Sequence, residues 1–182
     1  RVRQALLPAV ESDAISMMLF GGHQPVAHGQ TNPLDAVYNR KIPKYAYDPV
    51  KAATLLEDAG WTRASVRDIR RNADGKPLRF VFMTTAGNKT RELIQQVLQS
   101  QWRKTGGDVR IRNQPPRIYF GETVTKRNFR GLAMYAWLSA PGNVPRSTLH
   151  SEMIPNESNG WSGQNYPGYS NPEVDKLLDD VE

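Results

Sequence analysis

The strongest constraint lies in the middle of the chain, where the hydrophobic period changes repeatedly. Leu78-Arg-Phe-Val-Phe-Met83 alternates as a strand does. Asn88 to Gly106 then carries Leu93, Ile94, Val97, Leu98 and Trp102 at helical spacing, and Gly106-Gly107 ends it. Asp108-Val-Arg-Ile-Arg112 alternates again. Ile118 to Lys126 reads as a helix after Pro115-Pro116, and Leu132 to Leu138 as a strand apolar on both faces, the pattern of a buried parallel strand. The order strand, helix, strand, helix, strand builds successive crossover units with right-handed connections. The expected fold class is therefore α/β, a mixed, mainly parallel sheet flanked by helices.

The flanks are less regular. Val2 to Phe20 has helical spacing broken by Pro8, which predicts two short helices meeting near Glu11, with Ser12 capping the second and Gly21-Gly22 stopping it. From Gly21 to Tyr47 the pattern disappears among Pro25, Pro33 and Pro43. Irregular segments of this length in compact domains are often functional or wrapped over a partner. Asp48 to Gly60 is the best-signalled helix: Asp48 as N-cap, Pro49 in the first turn, Val50, Ala53, Leu56 and Ala59 on one side, Gly60 as stop. Asp68 to Thr84 predicts a hairpin turning at Asp74-Gly75. A second irregular stretch runs from Ser139 to Ser170. Asn171-Pro172 then opens a last helix with Val174, Leu177, Leu178 and Val181 as its stripe. Helical spacing is already under way at Arg1, which is not a start methionine, and still running at Glu182. The expectation is one lobe, residues 1–182, excised from a longer chain and truncated at both ends.

Composition excludes several chemistries. The absence of cysteine removes thiol nucleophiles, disulfides and cysteine-ligated metals. His23 and His28, five apart in a glycine-proline loop, are poor zinc spacing, and His150 is remote in sequence, so no metal site or cofactor is expected. No nucleophile elbow, phosphate loop or dinucleotide fingerprint occurs, so no enzyme is expected. The net charge of +6 weakly favours an anionic partner. Arg67, Arg70, Arg71, Lys76 and Arg79 cluster at the predicted hairpin, but Phe80 and Phe82, the aromatics that would stack bases, alternate toward the core. A basic protein- or nucleic-acid-interaction module stays the competing reading.

One geometric argument points to a site. Ligands of open α/β sheets sit beyond the carboxyl ends of the parallel strands. Thr85, Ala86, Gly87 and Asn88 occupy that place after the first strand and lead into a helix whose amides suit a carboxylate or carbonyl. Gln114-Pro115-Pro116 follows the second strand. Trp137, Ser139 and Ala140 follow the third, with Asn143 and Arg146 beyond. An aromatic wall with a few fixed polar groups is the usual lining of a solute pocket. A core role for Trp137, with turn-forming asparagines, is the alternative.

The motif order carries a resemblance. Val2-Arg-Gln-Ala-Leu6 with Asp13-Ala-Ile15, Tyr47-Asp-Pro-Val-Lys-Ala-Ala53 with Ala59-Gly60-Trp61, Gly75-Lys-Pro-Leu78, Gln99-Ser-Gln-Trp102 and Asn171-Pro-Glu-Val-Asp175 resemble, in order, the second lobe of family 5 extracellular solute-binding proteins. These are the oligopeptide- and dipeptide-binding components of bacterial ATP-driven (ABC) transporters. The resemblance implies lobe two of a bilobal, periplasmic-binding-protein-like II fold. It implies a peptide or other small solute held between this lobe and a missing first lobe by hinge closure, delivery to an inner-membrane ABC permease, a periplasmic or membrane-tethered extracellular location, no catalysis and no nucleic acid. It also brings Gln164 and Asn165 near the cleft mouth. Peptide-binding members carry an aspartate three residues after the tryptophan to hold the peptide's amino terminus. Here that position is Ala140, so either the ligand is not a standard oligopeptide or the anchor lies on lobe one or another residue.

Overall fold

The computed structural model describes residues 1–138 and 140–181. Strands β1 (Arg79–Met83), β2 (Asp108–Ile111) and β3 (Gly131–Ala133) form a three-stranded sheet of order β2-β1-β3. Both pairings are parallel, with Phe80 opposite Val109 and Phe82 opposite Leu132. Helix α4 (Lys89–Lys104) makes the first crossover. The second is a short α-turn, Pro116–Ile118, that widens into a π-helical turn over Tyr119–Val124. The expected α/β class is what the chain forms; among the described residues the antiparallel contribution is limited to isolated bridges, Thr62 with Arg71 and Arg71 with Pro77. Of the expected hairpin only the Arg71–Pro77 bridge forms, and the neighbouring Arg70 N–H donates to the Gly106 carbonyl at 2.9 Å instead.

Helix α1 (Val2–Leu6) and helix α2 (Ser12–Phe20) are separated at Pro8 as predicted. Ser12 is not the cap: it is the first helical residue, and Glu11 precedes it without a side-chain cap bond. Helix α3 (Pro49–Glu57) is capped by Asp48, whose carboxylate accepts the Lys51 N–H at 2.8 Å. Its buried face is Ala52 and Leu56, while Val50 lies exposed. The face is rotated from the predicted one because α3 packs on α1, where Ala5 and Leu78 meet Leu56. In α4 the predicted stripe is also corrected. Leu93 is exposed and the polar Gln95 is buried. The last helix, Pro172–Asp179, is capped by Asn171 and buries Leu178, leaving Leu177 and Val181 in solvent.

The core lies between the sheet and α1, α3 and α4. Trp102 is its centre. Phe80 and Phe82 meet its rings edge-on at 5.9 and 5.5 Å, and its indole N–H donates to the Leu6 carbonyl at 2.9 Å. That bond ties the first helix to the crossover helix and satisfies a group that burial would otherwise penalise. Arg70 is buried to 1% exposure. Its guanidinium donates to the Thr105 and Trp61 carbonyls and to the Glu57 carboxylate. It is a structural clamp at the amino end of the sheet, away from the strand ends that matter below. Gly131 opens β3 at φ +112°, and a Cβ there would run into the Val81 backbone, so glycine is required where β3 closes on β1.

The third strand is shorter than its apolar run suggested. The ladder ends when the Met134 N–H donates to the Met83 carbonyl at 2.9 Å. The hydroxyls of Thr84 and Tyr119 then both donate to the Met134 carbonyl, at 2.7 and 3.1 Å. With that oxygen taken, residues 135–138 leave the sheet, and Leu138 is 95% exposed.

Candidate functional site

The carboxyl ends of β1 and β2 are held by an amide pair, Gln95 buried and Asn113 half-buried. Gln95 donates from Nε2 to the Phe82 carbonyl at 3.0 Å and to Asn113 Oδ1 at 2.9 Å, and Asn113 Nδ2 donates back to Gln95 Oε1 at 2.9 Å. Asn113 Oδ1 also accepts the Thr84 N–H at 3.1 Å. Beyond this lock, Thr85 bridges Gln114 in parallel and the Ala86 N–H donates to the Gln114 carbonyl at 2.7 Å. Thr85 is therefore buried, while Ala86 and Gly87 are exposed at the rim. The helix start is already served by protein groups. Asn88 Oδ1 accepts the Arg91 N–H at 3.0 Å, and Glu92 accepts the Gly87 N–H at 2.9 Å. The expected anion-binding amides are thus partly occupied, and the Glu92 carboxylate makes this rim unfavourable for a second anion.

The segment after β3 carries an aromatic row. Edge-on contacts join Tyr119 to Phe120 at 5.1 Å, Phe120 to Tyr135 at 5.7 Å, and Tyr135 to both Tyr166 (6.1 Å) and Trp137 (6.2 Å). The inner end is core: Tyr119 is fully buried and its phenol is pushed up to about 12 by that burial. Burial, then the neighbouring Tyr166, holds the Tyr135 phenol above its usual value as well. Both phenols are neutral at physiological pH, so the wall is uncharged. The outer end is open. Trp137 is 58% exposed, which sets aside the reading of a core tryptophan.

Trp137 borders a recess of about 120 Å³ shared with Ala140, Asn143, Asp35, Gln30 and Asn32. Sequence reasoning places Trp137, Ala140 and Asn143 together, and the structure does the same. It missed Asp35. The irregular segment 21–47 brings that carboxylate across, where it accepts the Gly142 N–H at 2.8 Å and the Val37 N–H at 3.2 Å. These main-chain bonds, Gly142's first, hold its carboxyl below the usual carboxylate range. The only sequence signal was the Asn32-Pro-Leu-Asp35 turn in a long loop lacking hydrophobic period.

Other expected residues lie elsewhere. Ser139 falls outside the described residues. Arg146 begins helix Arg146–Leu149 and pairs with Asp179 and with Glu152, so its charge is turned to the last helix. Gln164 donates its N–H to the Ser147 carbonyl at 3.0 Å. Asn165 is fully buried. Its Nδ2 donates to the His150 and Tyr169 carbonyls at 3.0 and 2.7 Å, and its Oδ1 accepts the Tyr169 N–H at 2.9 Å. It organises the loop from inside instead of facing a ligand, because an irregular segment must satisfy its backbone through side chains. Among the described residues no group of three or more His, Asp or Glu is placed to hold a metal ion. Arg63, Arg67, Arg71 and Arg103 line a separate recess with no aromatic residue in its wall.

A family profile described as "Bacterial extracellular solute-binding proteins, family 5 Middle" matches residues 1–151. The chain belongs to this family. Among family 5 relatives, the oligopeptide-binding protein AppA of Bacillus subtilis is 31% identical over 188 aligned positions, covering all of this chain and 32% of AppA. The nickel-binding periplasmic protein of Escherichia coli is 28% identical, over 99% of this chain and 33% of its own length. The oligopeptide-binding protein of Thermus thermophilus, solved with a pentapeptide, superposes with a TM-score of 0.89 at 30% identity, covering all of this chain and 32% of that one. The chain thus spans about a third of the length of these relatives. No helix among the described residues is long and apolar enough to cross a membrane.

Proposed function

We propose that residues 1–182 form one lobe of a bilobal solute-binding protein serving a bacterial ABC importer. A peptide or similar small solute binds between this lobe and a first lobe formed by other parts of the same protein. The observation that carries the reading is the half-open aromatic row. It ends at Trp137, beyond the carboxyl ends of the parallel strands, where open α/β sheets bind ligands. The names of AppA and the Thermus protein favour a peptide; that of the Escherichia coli relative favours a nickel species. The absence of a clustered ligand set among the described residues favours the peptide for this lobe.

The binding step needs no chemistry. Trp137 offers apolar area, and the chain around it offers backbone groups to an extended ligand, as in strand addition. Closure of the two lobes would exclude water from both walls and present the closed form to an inner-membrane permease. The protein acts in the periplasm or tethered outside the membrane, and transforms nothing. The bilobal reading is also supported by the free edge of β3. Gly131, Leu132 and Ala133 border a recess of about 550 Å³, and Leu132 and Ala133 border an apolar one of about 590 Å³, space suited to further chain of the same protein. Mass spectrometry of whatever co-purifies with the full-length protein tests the proposal. A small solute released on denaturation is expected. A preparation free of solute that also binds no peptide from a protein digest refutes it.

A further inference from the structure

We propose that the recess walled by Arg63, Arg67, Arg71 and Arg103 is a site for a phosphate monoester, carried by a soluble molecule or by a phospholipid headgroup. The recess lies at the amino ends of β1 and β2, the opposite end of the sheet from the solute site. Arg71 bridges Pro77 just before β1, and Arg103 stands in the last turn of α4 just before β2. The proposal therefore does not depend on where the solute binds.

The recess is preformed. Thr62 and Arg71 exchange both main-chain hydrogen bonds, at 2.9 and 2.7 Å. The Arg63 guanidinium donates to the Val66 and Lys104 carbonyls at 2.8 and 3.0 Å, which fixes it between the turn that follows Thr62 and the end of α4. Arg71 donates to the Gly75 carbonyl at 2.7 Å. These acceptors are neutral, so they orient the two guanidiniums without cancelling their charge. Arg67 and Arg103 are exposed and make no side-chain hydrogen bond among the described residues. No ion pair among the described residues engages any of the four. The wall carries one carboxylate, Asp68, against four guanidiniums, so positive charge is in excess. Burial, then repulsion from the neighbouring Arg70, pushes the Arg63 guanidinium below its ordinary value, as an unneutralised cation cluster should.

The wall decides between ligand classes. A cation is repelled, and an apolar group leaves the guanidiniums unserved. No aromatic residue is present to stack a nucleic-acid base. A carboxylate has two oxygens and is matched by a single guanidinium fork. A phosphate monoester presents three terminal oxygens and up to two charges, which only several forks can serve, and all four wall cations are arginines. The recess of about 430 Å³ is many times a water's share of liquid volume, about 30 Å³, and so admits the phosphate together with the group it esterifies.

The bland account is a solvated basic surface. Two double variants of the full-length protein separate the readings, because they lose the same charge. Arg67→Gln/Arg103→Gln empties the recess wall, and Arg40→Gln/Arg130→Gln removes exposed cations outside it. Each protein is titrated with glycerol phosphate in a calorimeter at fixed ionic strength. Each is also sedimented with vesicles of phosphatidylcholine containing phosphatidic acid. The wild type should bind at least one probe saturably. Binding of glycerol phosphate assigns a soluble ester, and binding of the vesicles alone assigns the headgroup. The recess variant should weaken that binding by about tenfold or more, the scale of a charge-assisted hydrogen bond, while the outside variant stays within about twofold. Wild-type protein that binds neither probe overturns the proposal whether or not the variants fold. Equal weakening in the two double variants overturns it as well, and so does tetraglutamate bound as tightly as the phosphate probe.

Discussion

Replacing Gln95 with Leu should destabilise the protein by about 1–3 kcal/mol and loosen the strand ends beside the proposed site. The arithmetic follows from the amide pair. Three hydrogen bonds disappear: Gln95 to the Phe82 carbonyl, Gln95 to Asn113 Oδ1, and Asn113 Nδ2 back to Gln95. Two of the abandoned acceptors keep a partner. The Phe82 carbonyl still accepts the Arg112 N–H at 3.1 Å, and Asn113 Oδ1 still accepts the Thr84 N–H at 3.1 Å. Those losses are worth about 0.5–1.5 kcal/mol each. Asn113 Nδ2 keeps none among the described residues, and an orphaned donor costs about 1–3 kcal/mol, toward the lower end here because Asn113 is half-buried. Against a combined loss of about 2–6 kcal/mol, the leucine recovers about 1.5–3 kcal/mol by burying apolar area, which centres the net loss at about 2 kcal/mol. Urea unfolding followed by tryptophan fluorescence reads it. A double-mutant cycle with Asn113→Ala should return a coupling of about 1 kcal/mol or more. A Gln95→Leu midpoint indistinguishable from the wild type, with no coupling to Asn113, would refute the claim that this pair sets the strand ends.

Three further outcomes are expected. Gly131→Ala should cost about 2 kcal/mol or more in the same unfolding assay, because φ is +112° and the added Cβ meets the Val81 backbone; a neutral result contradicts the close approach of β3 to β1. Trp137→Ala in the full-length protein should weaken solute binding by about 1–3 kcal/mol in calorimetry, and unchanged affinity in a folded variant removes Trp137 from the site. Asp108 should confer acid-sensitive stability. Burial raises its carboxyl, but hydrogen bonds and charge from Arg79 and Arg110 outweigh that and leave it below the ordinary value. A depressed folded value stabilises above the unfolded pKa of about 3.9 and is lost as pH falls through the folded one, so Asp108→Asn should flatten the stability profile below about pH 4.

What was legible in the sequence was whatever local chemistry decides. The Asp48-Pro49 start, the break at Pro8 and the strand–helix–strand order need only near neighbours, and they appear as read. The face of α3 was misjudged because Val50 and Ala52 are separated by packing on α1, which no local period encodes. The length of β3 was misjudged because apolar character in residues 132–138 serves two purposes. Leu132 and Ala133 pair with β1, whereas Tyr135 and Trp137 build the aromatic row. Gln95 was invisible as a polar residue inside an apolar stripe, since its partner Asn113 lies on another element. Asn165 was expected near the cleft mouth and is instead the loop's internal scaffold. Asp35 is the clearest case: a remote carboxylate joins the recess that Trp137 borders only because an aperiodic segment is folded back to the Gly142 turn.

The most direct test of the central claim is hydrogen–deuterium exchange of the full-length protein, solute-free and loaded with its co-purifying solute. Protection is predicted on loading at residues 84–88, 135–138 and 140–143, and at the segment carrying Asp35. Protection confined to the Arg63–Arg71 and Arg103 surface, or no change at the strand ends, would contradict it.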